Sequence, residues 1–156
     1  MSLSNFSLSG KKALVVGARR NMGKAFALGL AEAGADVAIT DINLESGQLQ
    51  QVSSEIEAMG RKSLALKTDI SSKKEVKKLI KSVVEEFGTI DILMNVAVMY
   101  HPKSVVELDE ESWEKLTNIN LKGYWLTIQE VSPVMIQQNS GSIINSWTIF
   151  FYMARW

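Results

Sequence analysis

Short apolar runs alternate along this chain with longer stretches in which apolar residues recur at helical spacing. The runs predict strands over 12–16, 35–40, 63–67, 90–95 and 142–146. The helical spacing predicts helices over 22–33, 44–59, 76–87 and 109–131. The chain therefore reads as strand and helix in strict alternation, closing on a fifth strand.

Several residues mark where the predicted helices begin and end. Asn43 predicts the N-cap of the second helix, and Ser72 with Glu75 predicts a capping box before the third. Asp109 is suited to cap the last helix, and Pro133 predicts a disturbance near its end. Three glycines stand where the first three helices should stop: Gly34, Gly60 and Gly88.

This alternation predicts an α/β protein, a doubly wound parallel sheet of about five strands. The strands are almost continuously apolar, as expected of a parallel sheet covered on both faces. Residues 1–146 would form this single domain, and residues 147–156, rich in aromatic residues, a divergent tail. In such sheets ligands bind beyond the carboxyl ends of the strands, which directs attention to the polar residues there.

Composition narrows the classes of function. Seventeen basic and seventeen acidic residues cancel, so charge gives no reason to expect nucleic acid or an anionic membrane as a partner. The sequence has no cysteine and a single histidine, which argues against a metal site. No apolar run has transmembrane length and the first residues do not resemble a signal peptide, so we expect a cytoplasmic location.

The first strand runs into a glycine-bearing loop from which the first helix leaves. Such a unit points main-chain N–H groups and a helix N-terminus at one spot, which suits a phosphate. The loop residues that we predict to contact a phosphate-bearing cofactor are Gly17, Arg19, Arg20, Asn21, Met22 and Gly23.

Polar residues at the ends of the next strands admit two interpretations each. Asp41 would accept the ribose hydroxyls of an adenosine, or else act in a turn or cap. Asp69 would bond an adenine amino group, or lead into the following helix cap. Asn95 would face the cofactor or tie neighbouring strands together. Arg19 and Arg20 would welcome a phosphate, or be ordinary solvated arginines.

Two further polar residues follow the fourth strand. Asn120 lies in a predicted helix between apolar neighbours, so its amide needs a partner. That partner would be a backbone carbonyl or a water, and the functional version is a water that relays protons. His101 is expected to be a surface residue without a catalytic role.

Taken in order, these motifs resemble the short-chain dehydrogenase/reductase family over about residues 7–146. Residues 16–23 resemble its T-G-x-x-x-G-x-G loop, residues 95–98 its N-N-A-G stretch, and residues 120–123 its N-x-x-G motif. Residues 141–145 are similar to the glycine and strand before its catalytic serine. The resemblance implies a Rossmann-like fold and hydride exchange between NAD(P) and a small carbonyl or alcohol substrate.

The resemblance also implies roles for individual residues. Cofactor contacts would extend to Asp69, Ile70, Asn95 and Ala97. Asn120 would hold the relay water, and Thr148 would contact the substrate oxygen in place of the family's serine. Asp41 implies NAD and Arg20 favours NADP; we expect NAD, with NADP possible.

The chain departs from the family pattern at several positions. Asn21 replaces the middle glycine of the loop, and valines replace an asparagine and a glycine at 96 and 98. The family's catalytic Tyr-x-x-x-Lys pair is missing, because Tyr152 is followed four residues later by Trp156. We therefore expect a C-terminally truncated oxidoreductase with weak or no turnover. Alternatives are a non-catalytic nucleotide-binding or interaction module and a non-functional fragment, with association into homo-oligomers through an uncovered sheet edge.

Overall fold

The computed structural model describes residues 6–101, 104 and 106–146. The strands in this part of the chain are β1 (Lys12–Val16), β2 (Asp36–Asp41), β3 (Ser63–Lys67), β4 (Ile92–Asn95) and β5 (Ser142–Asn145). The helices are α1 (Asn21–Glu32), α2 (Gln48–Ala58), α3 (Lys73–Phe87), α4 (Glu110–Thr117) and α5 (Tyr124–Gln137). A π-helical turn, Asn118–Gly123, joins α4 to α5.

The strands form one parallel sheet in the order β3-β2-β1-β4-β5. The chain moves outward from β1 to β3 and then returns to the other side of β1, so the order reverses between β1 and β4. This confirms the predicted doubly wound, Rossmann-like sheet. The register sets Val16 level with Thr40 on one side and Asn95 on the other, and Asn95 level with Asn145.

The core lies on both faces of the sheet because side chains alternate along each strand. On one face, Leu14, Val16 and Leu93 pack with apolar residues of α3 and α5. On the other, Ala13, Val15 and their neighbours pack with α1 and α2. Burial on both faces explains why β1, β2 and β4 consist mainly of apolar residues.

β3 and β5 are the two edge strands of the sheet, and β5 is the more exposed of the two. All four of its residues are exposed, and Ile143 and Ile144 are 36% and 44% accessible. An edge strand with exposed apolar side chains carries unpaired main-chain groups and favours association. The expectation of an uncovered edge therefore holds for the described part of the chain.

The prediction that the first three helices end at glycines is confirmed. Gly34, Gly60 and Gly88 follow α1, α2 and α3 and all have positive φ. The N-cap assigned to Asn43 is wrong. Helix α2 begins later, at Gln48, and the Asn43 side chain instead accepts a hydrogen bond from the Ser46 amide at 3.1 Å. Asparagine side chains often close turns in this way, in competition with a helix start.

The last predicted helix is not a single helix. It divides into α4, the π-helical turn and α5, and the disturbance predicted at Pro133 is wrong, since Pro133 lies inside α5. Proline removes one hydrogen bond. The helix continues because Leu126, Val131 and Met135 bury its apolar face on both sides of that position.

Candidate functional site

The loop after β1 is hydrogen-bonded to β2 and packs closely against the chain just after β4. The amides of Gly17 and Ala18 both donate to the Thr40 carbonyl of β2, at 2.8 and 3.1 Å. Gly17 has φ 87°, and a β-carbon there would lie 2.6 Å from the main chain of Ala97. Only glycine combines this backbone conformation with so close an approach to the end of β4.

The loop then folds back on itself at Gly23. A β-carbon on Gly23 would lie 1.9 Å from the carbonyl oxygen of Gly17. Between them, Asn21 has φ 49°, in the left-handed region that asparagine tolerates best after glycine. The compact turn is therefore formed although Asn21 stands where the family motif has a glycine.

Helix α1 begins inside this loop. Arg20 is its N-cap residue, with extended backbone, and its side chain makes no capping hydrogen bond. The first helical turn carries no acidic residue, and Arg20 and Met22 are exposed. The positive end of the helix dipole is thus offered at the carboxyl end of β1, as a phosphate site requires.

Asp41 ends β2 beside this loop. Its Oδ1 accepts a hydrogen bond from Arg19 Nε at 3.3 Å and another from the Asn43 amide at 3.1 Å. Arg19 Nη1 also donates to Gln48 Oε1, at 2.5 Å. The turn interpretation of Asp41 is therefore observed, and Arg19 is an ion-paired residue rather than a solvated one.

Asp69 and Ile70 follow β3. Asp69 Oδ1 accepts hydrogen bonds from both the amide and the hydroxyl of Ser71, at 2.9 and 2.7 Å, and its own amide donates to Glu75. The capping box is therefore half formed: Ser72 caps α3, but Glu75 bonds to Asp69. Ile70 is 5% exposed, so its side chain belongs to the core.

Asn95 is fully buried at the end of β4. Its Nδ2 donates to Asn145 Oδ1 at 2.9 Å, and its Oδ1 accepts from the Thr127 hydroxyl at 3.0 Å. The Asn95 side-chain amide therefore ties β4 to β5 and α5. Of the two interpretations given to Asn95, this is the one in which it joins neighbouring strands. Tyr124 reinforces the same strand end by donating to the Ser146 carbonyl at 3.0 Å, and burial raises the pKa of Tyr124 to about 12.

Asn120 lies within the π-helical turn and pairs with the main chain of Met99. Asn120 Oδ1 accepts from the Met99 amide at 2.8 Å, and Nδ2 donates to the Met99 carbonyl at 2.9 Å. Of the partners considered for this amide, the backbone is the one observed. Turns of this type inside α-helices occur frequently at functional sites. Thr148 and the tail lie outside the described residues.

His101 is half-buried, so the expectation of a surface residue is wrong. Its Nε2 is buried and has no hydrogen-bond partner within the described ranges. No group of three or more His, Cys, Asp or Glu side chains suited to a metal ion occurs in residues 6–101, 104 and 106–146. In the same ranges, no helix combines the length and apolarity needed to span a membrane.

A model of the short chain dehydrogenase family matches residues 11–148, which cover the loop, every strand and every helix described above. The chain belongs to the short-chain dehydrogenase/reductase family. Among its relatives is the 3-oxoacyl-[acyl-carrier-protein] reductase FabG of Staphylococcus epidermidis, 39% identical over 139 residues, which are 89% of this chain and 57% of that protein. The chain thus spans a little over half the length of such relatives.

Solved structures of other members of the family superpose closely. NAD+-bound xylitol dehydrogenase has a TM-score of 0.83 at 33% identity, over 88% of this chain and 52% of its own. A 7α-hydroxysteroid dehydrogenase in complex with NADH and 7-oxo-glycochenodeoxycholic acid has a TM-score of 0.86 at 30% identity, over 93% of this chain and 56% of its own. The family uses nicotinamide dinucleotides and acts on small molecules.

The predicted residues of this chain lie together at the end of the sheet where the strands have their carboxyl ends. Gly17, Arg19 and Asp41 meet across β1 and β2, while Asn95 and Asn120 support the strand ends on the other side. The partners Gln48, Met99 and Thr127 are not predictable from the sequence. No local pattern identifies them, because each meets its partner only through the tertiary fold.

Proposed function

We propose that this chain carries the dinucleotide-binding part of an NAD(P)-dependent oxidoreductase that exchanges hydride between the nicotinamide and a carbonyl or alcohol substrate. The observation that carries the proposal is the Gly17–Gly23 fold-back. It brings the positive end of α1 to the carboxyl end of β1, next to the Asp41 carboxylate. A pyrophosphate and an adenosine ribose need these two features side by side.

The chain's residues fit such a cofactor. The space that a β-carbon would take at Gly17 or Gly23 is already filled by backbone, so only glycine at these two positions permits the compact turn that would hold the pyrophosphate. Asp41 favours the ribose of NAD, which makes NAD the expected cofactor, with NADP possible. Asp69 and Ala97 would line the adenine and nicotinamide sides, and Ile70, whose side chain is buried in the core, would contribute only its main chain. When bound, the nicotinamide would supply or accept the hydride.

Roles in the chemistry rest on the family resemblance. Asn120 would hold a relay water, and because its side chain is committed to Met99, that role requires one of the two bonds to exchange for water. Thr148 would contact the substrate oxygen. The printed sequence contains no Tyr-x-x-x-Lys. A lysine lowers the pKa of such a tyrosine so that it can exchange a proton near neutral pH, so we propose weak or absent turnover for the 156-residue chain.

The test separates binding from turnover. NADH titrated into the purified 156-residue chain should bind saturably, and Asp41→Ala should weaken that binding. NADH oxidation across a panel of carbonyl compounds should stay near background. Clear turnover that is lost on Asn120→Ala would contradict the proposed weak turnover, and failure of NADH and NADPH alike to bind would refute the dinucleotide site itself.

Location, assembly and domain limits complete the proposal. We propose a cytoplasmic location, which cell fractionation tests. We also propose that residues 1–146 form the domain, so a chain ending at residue 146 should have the same midpoint of thermal unfolding as the 156-residue chain.

The exposed Ile143 and Ile144 on β5 support self-association into a homo-oligomer. Sedimentation of a single monomeric species at micromolar concentration would contradict that association.

A further inference from the structure

Helix α3 carries a dense run of exposed lysines, five of them with a single acidic residue in residues 73–81. The first of the five, Lys73, is bound to α5, because its Nζ donates to Gln129 Oε1 at 3.0 Å. Successive residues of an α-helix are about 100° apart around its axis, so the other four lie within an arc of about 100°. These four form the lysine stripe: Lys74, Lys77, Lys78 and Lys81.

The opposite side of α3 faces the core. Its buried residues are Val76, Leu79, Ile80, Val83 and Phe87. They pack with apolar residues of the sheet and of α5, so this face is not available to a membrane or to another protein. The surface that α3 presents outside the fold is therefore the charged one.

The chain itself neutralises little of the stripe. Glu75, the acidic residue within the run, accepts a hydrogen bond from the Asp69 amide at 2.8 Å. Lys81 has an exposed ion pair with Glu85, 3.6 Å long. Within residues 6–101, 104 and 106–146, the side chains of the other three members of the stripe form no ion pair and no hydrogen bond.

The stability of α3 does not explain the stripe. Like charges three or four residues apart on a helix repel each other, and every member of the stripe has two others at such a distance. The stripe also begins near the positive end of the helix dipole, where cations are unfavourable. A negatively charged partner would relieve both penalties.

The extent of the stripe favours a short acidic partner over an extended one. From Lys74 to Lys81 the helix advances about 10 Å. The whole chain carries seventeen acidic residues against seventeen basic ones, so nucleic acid or an anionic membrane would meet repulsion beyond the stripe. Glu85 and Glu86, both exposed, follow on the same helix. The run also contains no arginine, the residue that best matches phosphate groups.

We propose that the lysine stripe is a docking surface for an acidic helical segment of a protein partner, in which glutamates or aspartates recur every three or four residues. Carboxylates at that spacing pair with ammonium groups at the same spacing, as charged residues do along a coiled coil. Because α3 begins at the end of the sheet where the strands have their carboxyl ends, the docked segment lies beside Asp69. The inference does not depend on dinucleotide binding.

The experiment measures the fluorescence anisotropy of a labelled helical peptide of about 20 residues, with glutamates every three or four residues along one face. A control peptide has glutamine at the same positions. The glutamate peptide should bind the 156-residue chain saturably, and about tenfold more weakly at about 200 mM salt than at about 50 mM. The glutamine peptide should not bind.

Two double variants locate the binding surface. Lys77→Gln/Lys78→Gln should weaken binding of the glutamate peptide about tenfold. Lys62→Gln/Lys115→Gln removes the same charge from exposed lysines outside α3 and should bind like the unmodified chain. Equal losses in the two variants would overturn the inference, because net charge rather than the stripe would then be responsible.

A charge exchange tests the pairing directly. Lys77→Glu/Lys78→Glu should lose the glutamate peptide and gain binding of a peptide with lysines at the same positions. Absence of saturable binding by the glutamate peptide would refute the inference. Tighter binding of single-stranded DNA, or of vesicles of equal parts phosphatidylcholine and phosphatidylserine, would overturn it in favour of another class of partner.

Two further measurements separate docking from a role in the fold and from self-association. Lys77→Gln/Lys78→Gln should unfold at an equal or higher temperature than the unmodified chain, because repulsion between like charges falls. A lower midpoint would show that the lysines serve the fold and would contradict the docking role. Salt-sensitive self-association in sedimentation, abolished by the same variant, would identify a second copy of this chain as the occupant instead.

Discussion

The carbonyl oxygen of Gly17 occupies the place where a β-carbon on residue 23 would stand, 1.9 Å from that ideal position. No real β-carbon approaches an oxygen so closely, so any side chain at 23 must push the loop apart. We predict that Gly23→Ala destabilises the fold by about 2 kcal/mol or more, as overpacking does, and abolishes NADH binding. Chemical denaturation and NADH titration measure the two effects.

Gly29 provides the matched control for that change. It lies in the same helix, and a β-carbon there meets nothing within 4 Å. Gly29→Ala should stabilise the fold by about 0.5–1 kcal/mol, because alanine is the better helix former, and leave NADH binding unchanged. If both alanine variants lost binding equally, the fold-back at residue 23 would not be the cause.

Asn21 and Asn139 share a left-handed backbone conformation but differ in position. Asn21 has φ 49° in the loop before α1, and Asn139 has φ 56° after α5. We predict that Asn21→Gly tightens NADH binding about threefold to tenfold, because it removes a side chain where the pyrophosphate approaches a loop backbone. The free energy of unfolding should change by less than about 1 kcal/mol in Asn21→Gly and in the corresponding variant Asn139→Gly.

Asn139→Gly makes the same backbone substitution away from the loop, so titration of both variants isolates the effect of position. Its NADH affinity should equal that of the unmodified chain. Weaker binding by Asn21→Gly would indicate instead that the asparagine side chain itself contacts the cofactor.

Much of the fold was predictable because it is encoded locally. A strand buried on both faces is apolar in its buried part, so the run from Ala13 to Val16 identifies β1 without further information. The π-helical turn was not predictable, since it coincides with the pairing of Asn120 and Met99, which are 21 residues apart in sequence. Local spacing cannot report a contact of that range.

The Asn120–Met99 pairing itself yields a prediction. Asn120→Ala would leave the part-buried amide and carbonyl of Met99 without their side-chain partner. We expect a loss of about 2 kcal/mol in the free energy of unfolding, the contribution of two hydrogen bonds. Amide exchange at Met99 should accelerate relative to the strand amides of β4. Both are measured on one sample, by denaturation and by NMR-detected hydrogen exchange.

Asn118→Ala is the control for this change, because Asn118 starts the same π-helical turn. It should leave Met99 exchange unchanged. Equal acceleration in the two alanine variants would mean that the turn as a whole, rather than the Asn120 amide, holds the loop after β4.

The site was predicted in part, and the missing part has a physical reason. Parallel strands end at one edge, so Asp41 and Asn95 could be placed near the loop from their positions alone. The pairing of Arg19 with Gln48 could not. The predicted helix start at 44 was four residues early, and a helix begun there would present residue 48 in its second turn, whereas in the structure Gln48 opens α2.

Acid should destabilise this fold through Asp36, the first residue of β2, which lies at the end of the sheet opposite the loop. Burial opposes ionisation of Asp36, but hydrogen bonds from Lys12 Nζ at 2.5 Å and the Lys62 amide at 2.8 Å, with the nearby charge of Arg61, hold its pKa below the usual value. The native state therefore binds this proton less readily than the unfolded chain does. The stabilisation is complete above the unfolded pKa of about 3.9 and is lost as pH falls through the lower folded pKa.

Asp36→Asn removes this dependence and gives the test. At pH 7 it should lower the free energy of unfolding by about 1.5–3 kcal/mol, the range for hydrogen bonds to a charged group. The difference from the unmodified chain should shrink as pH falls from about 5 to 2, because the aspartate becomes neutral as well. Glu85→Gln is the control, since its pair with Lys81 is exposed and 3.6 Å long, and should change stability by less than about 0.5 kcal/mol. If the difference in the free energy of unfolding between the unmodified chain and Asp36→Asn stayed the same at every pH, the charge of Asp36 would not be the cause of the effect.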